Sequence, residues 1–262
     1  MTPNTKKPSL DEVNQRLVDQ YNEIATLAGG LAHEIKNPLS TIRLNMELLA
    51  EDFAESQTPR ERRALAKIAV VERECQRLQN LLDDFLNFAK LRRLNLEPSD
   101  LNAEVHRIVE FFAPKAHESG IEVIQYLDPD LPSIMLDRET FHAVLLNLVL
   151  NAQQAMPGGG QLMIRTRTLS GVVALDLIDT GCGMDPQTQE QIFEAFFSTK
   201  PGGSGLGLPT ARKVIEAHGG HIVVQSERGR GTQFTILLPT LARLAPGEAA
   251  GDIIDAASQP VT

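Results

Sequence analysis

Ile68, Val71, Cys75, Leu78, Leu82, Phe85 and Ala89 follow one another at alternating steps of three and four, without a slip. That spacing is a heptad seam, and it commits the segment to a helix whose apolar edge must meet another helix. Upstream, Leu17, Ile24, Leu27, Leu31, Ile35, Ile42, Met46 and Leu49 fall at steps of three, four or their multiples, one face of a single long helix from Val13 to Phe53. The polar break "ESQTPRER" separates the two patterns. About ten residues thus join two long helices into an antiparallel hairpin. A hairpin alone leaves much of its stripe in water, so pairing with a second copy into a dimeric four-helix bundle is the expected solution. Closure by other helices of the same chain is the alternative, and few further helices are on offer.

"LEPSDLN" at 96–102 combines a proline with two potential N-caps, and the periodicity changes beyond it. A domain boundary is expected there, with a helical hairpin over 10–96 and a second domain over 97–240. The second domain reads as a helix over 101–118, a strand "IEVIQYL", a short "IMLD" and an apolar helix "RETFHAVLLNLVLNAQQAM". Paired strands "QLMIRTRT" and "VVALDLID" follow across an "LSG" turn, then glycine-rich loops, a helix near 206–218, and strands "HIVVQSE" and "TQFTILL". Hairpins interleaved with helices predict an α+β two-layer sandwich with the helices on one sheet face. Residues 1–9 and the tail 241–262, rich in alanine, proline and acid, are expected to be disordered.

The formal net charge of -9 is uneven: residues 1–95 hold 14 basic and 14 acidic side chains, the remainder 11 and 20. That balance speaks against a nucleic-acid partner. Two cysteines, Cys75 and Cys182, stand in unrelated segments without neighbouring histidines, which predicts free thiols and a reducing compartment. No apolar run reaches the roughly 20 residues that span a bilayer. The N-terminus "MTPNTKKPSLDE" has no apolar signal core. A cytoplasmic, soluble chain is expected.

Three glycine clusters stand out: "DTGCGM" at 179–184, "GGSGLGL" at 202–208 and "GRGT" at 229–232. None is followed by the Lys-Ser or Lys-Thr of a phosphate loop, and Pro186 stands where a dinucleotide fingerprint needs its third glycine. The order of features fits a different nucleotide site. Asn147 and Asn151 lie one turn apart on one helix face. A strand then ends in Asp179, and a glycine-rich loop runs into a helix whose N-terminus near Gly205 to Leu208 offers N–H groups and a positive dipole end to phosphate. Paired amide oxygens suit Mg²⁺ on a triphosphate, and Asp179 can accept a hydrogen bond from an exocyclic amine such as that of adenine. Alone, the two asparagines read as polar helix positions; together with Asp179 and both loops they read as a site.

These segments carry a resemblance. Over residues 10–240 the chain resembles the two-component sensor histidine kinases: "LAHEIKNPL" looks like their H box, "LLNLVLNAQQAM" their N box, "DTGCGM" their G1 box, "IFEAFFSTK" their F box, "GGSGLGL" their G2 box and "GRGT" the closing glycine turn. The resemblance implies the Bergerat-type ATP-binding fold shared with gyrase, Hsp90 and MutL. It implies Mg²⁺-ATP asparagines at Asn147 and Asn151, an adenine-recognising aspartate at Asp179 and loop glycines at Gly181 and Gly183. Lid and phosphate contacts are implied at Gly203, Gly205, Leu206 and Gly207, a phosphate contact at Lys200 and an ATP contact at Thr232. The lid between Phe197 and Gly205 is short, similar to the soluble nitrogen-regulator type. Phe193, Phe196 and Phe197 read as packing residues that anchor the lid. His218, before two glycines, reads as a helix C-terminal cation or cap without a catalytic role.

The H box explains an otherwise awkward helix. His33 would carry phosphate on one ring nitrogen, which needs a neutral imidazole whose other nitrogen is held by a partner, and Glu34 is the candidate base or orienter. The resemblance implies that Asn37 orients the water that dephosphorylates a response regulator. Pro38 has no N–H for the carbonyl of Glu34 and predicts a bend just past His33. Zinc is excluded because "HEIKN" places Asn37 where a metalloprotease helix needs its second histidine. The expected function is an ATP-dependent protein-histidine kinase that autophosphorylates His33 and passes phosphate to a response-regulator aspartate, with a phosphatase activity as well. A catalytically weak scaffold and an ATPase or chaperone of the same nucleotide fold are the competing readings. So few residues precede the first helix that no sensory module is expected; input would come through the N-terminus or an upstream sensory partner, or the chain is a truncated kinase.

Overall fold

The computed structural model describes residues 10–53, 58–89, 94–200 and 202–241, with the side chains of 10–28, 31 and 33 excepted. The expectations of disorder at 1–9 and, apart from Leu241, over 241–262, and the apolar positions Leu17, Ile24, Leu27 and Leu31, fall outside that description. The chain divides into two units: residues up to Arg92 with Thr199–Ser204, and Arg93–Ser198 with the residues from Gly205 onward.

In the first unit, α1 (Leu10–Asp52) runs unbroken through Pro38, and α2 (Pro59–Ala89) packs beside it. The helix start explains why the connection is shorter than the ten residues read from sequence. Thr58 and Glu61 form a reciprocal capping box: the Thr58 N–H donates to Glu61 Oε2 at 2.9 Å, and the Glu61 N–H to Thr58 Oγ1 at 3.2 Å. Pro59 takes the first helical position, where its missing N–H costs nothing. The last four residues of the polar break, Pro59 to Arg62, therefore already belong to α2. Lys36 pairs with Asp83 at 2.6 Å, and Gln79 Nε2 donates to Ser40 Oγ at 3.2 Å, so four residues forward on α1 match four back on α2. That register is antiparallel. Ala32, Leu39, Ile68, Cys75 and Ala89 are buried within the protomer, whereas Ile35, Ile42, Leu49, Val71 and Leu78 are exposed.

The second unit is a five-stranded sheet covered on one face by helices. Its elements are β1 (Glu97–Ser99), α3 (Leu101–Glu118), β2 (Ile121–Tyr126), β3 (Ile134–Leu136), α4 (Arg138–Ala155), β4 (Gly160–Leu169), β5 (Val172–Asp179), α5 (Pro186–Gln191), α6 (Gly207–Ala217), β6 (His221–Glu227) and β7 (Gly231–Pro239). The sheet order is β2-β4-β5-β7-β6, with β2 and β4 parallel and the other pairs antiparallel. The parallel pair needs a crossover, and α4 supplies it. Val173, Leu175 and Leu177 of β5 and Phe234, Ile236 and Leu238 of β7 face the helices, where Ile108, Phe112, Val144, Leu145, Leu148 and Ile215 complete one core. The predicted two-layer arrangement is thus observed.

Two short elements were not visible in the sequence pattern. β1 is three residues long, contains Pro98 and pairs only with β3; α5 has six residues and no buried side chain. Neither is long enough to show a period. Both cysteines are free thiols, Cys75 buried and Cys182 exposed. Among the described residues no helix is long and apolar enough to cross a membrane.

Candidate functional site

The β5 strand delivers Asp179 to the end of the sheet, where it is only 5% exposed. Its Oδ1 accepts the Gly181 N–H at 2.8 Å and the Thr232 N–H at 3.2 Å, so two backbone donors from different segments fix the carboxylate. Thr232 is its direct cross-strand neighbour on β7. Beyond Asp179 the loop crosses over the turn between β6 and β7. Gly183 has a left-handed φ of 62°, and a Cβ there would overlap the carbonyl oxygen of Glu227; only glycine satisfies both conditions. The Gly229 N–H donates to the Cys182 carbonyl at 2.8 Å and binds the same loop to the same turn. Gly181 lies against Ala155 at the end of α4, and the Cys182 N–H donates to the Ala155 carbonyl at 3.0 Å.

Asn147 and Asn151 face the same way on α4, with Asn151 Nδ2 donating to Asn147 Oδ1 at 3.2 Å. Asn147 Nδ2 is buried and has no hydrogen-bond partner. A buried donor without an acceptor costs about 1–3 kcal/mol, and an anionic oxygen would relieve it. The N-terminus of α6 arrives at this point: a Cβ on Gly207 would stand 2.6 Å from Asn147 Oδ1. The start of α6 also differs from its neighbours. Asp100, Asp137 and Asp185 cap α3, α4 and α5 with side-chain hydrogen bonds, whereas Leu206 stands at the N-cap of α6 and supplies none. An uncapped N-terminus beside an orphaned amide donor favours negative charge. The amide oxygens of the same pair are hard ligands of the kind Mg²⁺ takes.

Asn147, Asn151, Asp179, Gly181, Gly183, Gly205, Leu206, Gly207 and Thr232 all belong to the sheet unit, while Lys200 and Gly203 lie in the segment Thr199–Ser204 that groups with the hairpin. The Gly203 N–H closes a turn onto the Lys200 carbonyl at 3.1 Å. Of the three phenylalanines expected to pack, Phe193 and Phe197 lie against the core, but Phe196 is 66% exposed. Its N–H is held by the Gly205 carbonyl at 3.0 Å and its φ is 68°, a left-handed turn that carries the ring away from the core. His218 is the C-cap of α6, as read from sequence. Burial pushes its pKa down, so it is a neutral cap and not a cation.

On α1, Glu34 and Asn37 are exposed, between buried Ala32 and Leu39. His33 lies in the same turn of helix, its side chain outside the described residues. Thr41 Oγ1 donates to the Asn37 carbonyl at 3.1 Å, and Asn45 Nδ2 to the Thr41 carbonyl at 2.8 Å. The helix therefore takes up polar back-bonding just past Pro38.

Ser226 and Gln189 carry no sequence signal and yet tie the loop after Asp179 to β6, the Met184 N–H donating to Ser226 Oγ and Gln189 bonding the Ser226 main chain. Ser226 is one polar residue in an alternating strand, and Gln189 one of several glutamines near α5. Their importance comes from the pairing of β6 with β7, which places Ser226 opposite Thr232.

Known proteins share this arrangement. Residues 23–94 match the family His Kinase A (phospho-acceptor) domain, and residues 136–242 match the family Histidine kinase-, DNA gyrase B-, and HSP90-like ATPase. The signal transduction histidine-protein kinase AtoS of Escherichia coli (strain K12) is 34% identical over 229 residues, 86% of this chain and 37% of that protein. The structure of full-length ShkA in complex with AMPPNP has a TM-score of 0.65 and 29% identity, covering 82% of this chain and 45% of that one. A mycobacterial sensor histidine kinase, MprB, is 31% identical with a TM-score of 0.50, covering 55% of this chain and 97% of that one. The chain spans about a third to a half of the length of the curated relatives it matches.

Proposed function

The chain belongs to the sensor histidine kinases, and from that premise we propose that it binds ATP in the pocket around Asp179, transfers the γ-phosphoryl group to His33 and passes it to an aspartate of a response regulator. The observation that carries the reading is the meeting of Gly207, at the uncapped start of α6, with the orphaned amide of Asn147. A helix end without a side-chain cap and a buried donor without an acceptor both favour an anion, and the carboxylate of Asp179, fixed by two backbone donors, is a hydrogen-bond acceptor. A nucleoside triphosphate with an exocyclic amine supplies both.

In this reading Asp179 accepts from the 6-amino group, and Gly181 and Gly183 let the loop follow the base. Asn147 and Asn151 would hold Mg²⁺ through their amide oxygens, and the ion would supply charge neutralisation on the triphosphate. Gly203, Gly205, Leu206 and Gly207 line the phosphates, with Lys200 as a further cation. One nitrogen of His33 attacks the γ-phosphorus while the bond to the ADP oxygen breaks, and Glu34 takes or holds the proton on the other nitrogen. The resulting N–P bond is cleaved in turn by the regulator's carboxylate, which regenerates His33. Asn37 orients water for removal of phosphate from the regulator. The exposed stripe of Ile35, Ile42, Leu49, Val71 and Leu78 supports a homodimer. ATP as the donor is consistent with a cytoplasmic setting.

The test is labelling with γ-³²P-ATP and Mg²⁺. An acid-labile, alkali-stable label that disappears in His33→Gln is the expected result. Equal labelling of the His33→Gln protein sinks the assignment, and nucleotide binding without any label favours the scaffold reading.

A further inference from the structure

We propose that Ser226 makes the nucleotide pocket selective for a 6-amino purine by dictating which way the hydroxyl of Thr232 is used. The proposal rests on the reading of the Asp179 pocket as the adenine site. It follows from counting protons around one oxygen. Ser226 Oγ has three polar neighbours: the Met184 N–H at 2.9 Å, the Gly231 carbonyl at 2.9 Å and Thr232 Oγ1 at 2.9 Å.

A serine hydroxyl has one proton and two lone pairs. The Met184 N–H can only donate, so it occupies one lone pair. The Gly231 carbonyl can only accept, so it takes the single proton. The contact with Thr232 is then satisfied in one way: Thr232 donates its own proton into the second lone pair of Ser226. With that proton spent, the Thr232 hydroxyl has only lone pairs left for other partners.

The position of Ser226 Oγ is itself fixed. Gln189 grips the Ser226 main chain on both sides, its Oε1 accepting the Ser226 N–H at 3.1 Å and its Nε2 donating to the Ser226 carbonyl at 2.9 Å. The same Nε2 lies 3.3 Å from the Met184 carbonyl. The amide of Gln189 thus pairs with the free edge of β6 as a neighbouring strand would. With the backbone held by Gln189, the three contacts at Oγ hold the Ser226 hydroxyl in place.

Thr232 is also tied to Asp179, through its N–H and through the cross-strand register. That end of the sheet therefore presents a carboxylate and, at Thr232, an acceptor-only hydroxyl, while the neighbouring Thr180 hydroxyl is turned to Met156 Sδ at 3.7 Å. A base with an amine at C6 meets acceptors directly or through water. A base with a keto oxygen there meets acceptors alone and leaves its oxygen unpaired, a mismatch that buried polar sites reject strongly. Ser226 is in this sense a positioning residue. It need not touch the base, because it sets the polarity of the group that does.

Competition of ATP and ITP against trinitrophenyl-ATP on the full chain tests this, because the two nucleotides differ only at C6 and N1. The native protein should prefer ATP. Ser226→Ala frees the Thr232 proton to reach a keto oxygen, and the ATP-over-ITP preference should fall about fivefold or more, chiefly through tighter ITP binding, in line with one recovered hydrogen bond. Ser226→Thr, which keeps the hydroxyl, should retain the preference. In the double variant Ser226→Ala with Thr232→Val the ITP gain should vanish. Thr232→Val alone should weaken ATP more than ITP, and this arm does not depend on Ser226→Ala folding. An equal loss of ATP and ITP in Ser226→Ala, or a Thr232→Val variant that weakens ITP more than ATP, overturns the proposal. If the native chain fails to bind ATP, or Asp179→Asn leaves binding unchanged, the adenine-site reading falls and the proposal falls with it. Intact Asp179 dependence with an unmoved ATP-to-ITP ratio sinks the role of Ser226 alone.

Discussion

Asp137 and His218 join the start of α4 to the end of α6. The Asp137 N–H donates to His218 Nε2 at 3.0 Å, and His218 Nδ1 lies 2.7 Å from the Val214 carbonyl, so Nδ1 carries the proton and the ring is neutral. The Asp137 side chain accepts from the Thr140 N–H at 3.0 Å and from the Asn95 N–H at 2.9 Å. One residue therefore caps α4, holds the end of α6 and fastens the segment just before β1. Burial acts to raise the pKa of the Asp137 carboxyl, but the hydrogen bonds from Thr140 and Asn95 outweigh it and hold the group below the usual carboxylate range.

The neutral ring makes stability depend on pH. Burial lowers the His218 pKa from its ordinary 6.5, against the opposing pull of Val214 and Asp137. Just below pH 6.5 the unfolded chain therefore binds a proton that the folded chain refuses, and stability falls as pH drops through that window. Above it the contribution is complete. Urea melts from pH 5 to 8 should show that slope, and His218→Phe should lose it. The same variant leaves the Asp137 N–H without an acceptor and should cost about 1–3 kcal/mol at pH 8. An unchanged pH slope in His218→Phe would assign the dependence to another group.

Asp176 is a buried acid on the sheet face away from the helices, with no exposed surface. Arg165 Nη2 and Nε reach its Oδ2 at 2.9 and 3.0 Å, Arg167 Nε at 3.1 Å, and Thr235 Oγ1 its Oδ1 at 2.7 Å. Burial raises its pKa, yet the bonds from Thr235, Arg167 and Arg165 prevail and hold it below the ordinary 3.8. The depressed pKa means that its contribution is present above the unfolded value and is lost as pH falls below about 3.9 through the folded one. Asp176→Ala strands two arginines that water reaches in part, so about 2–4 kcal/mol should be lost at pH 7. ATP affinity should not follow. A stability loss below 1 kcal/mol in urea titration would contradict this.

Much of this arrangement was legible in the residues. Asp179 could be found because the apolar-rich strand "VVALDLID" ends in it just before a glycine loop, and the helix with Asn147 and Asn151 because its apolar run over eighteen positions is too long for a strand. Ser226 and Gln189 could not. Their roles exist only once β6 and β7 pair in register and Gly183 lets the loop approach, and neither register nor close approach leaves a mark on a single strand's alternation. The same holds for Asp137 and His218, which are 81 residues apart. Phe196 misled for a local reason: an aromatic side chain predicts burial, and nothing in "FEAFFSTK" announces a left-handed backbone.

Gly207 offers a way to separate nucleotide contact from fold. Its φ is not left-handed and it opens a helix, so alanine is compatible with the backbone and should raise helix propensity slightly. The added methyl would stand 2.6 Å from Asn147 Oδ1 and push that side chain aside. Gly207→Ala should therefore keep its melting temperature within about 4 °C of the native protein, a shift of less than about 1 kcal/mol, and lose ATP affinity tenfold or more by calorimetry. Native affinity in this variant would remove Asn147 from the phosphate site.

The hairpin permits a prediction about assembly. Ile35, Ile42 and Leu49 repeat every seven residues on α1, and Val71 and Leu78 stand at the same interval on α2; all five are 38–49% exposed in the single chain. Ala32, Leu39, Ile68 and Cys75, by contrast, are already covered within it. Two heptad faces left open on one hairpin are what a second hairpin would bury. Sedimentation velocity should give a dimer at micromolar concentration. Ile42→Glu together with Leu78→Glu should give a monomer, because each places a charge where an apolar contact forms. The sheet unit buries its own core, so the monomeric variant should still bind ATP while its stability becomes independent of protein concentration. A dimer of undiminished strength would place the interface elsewhere on the chain.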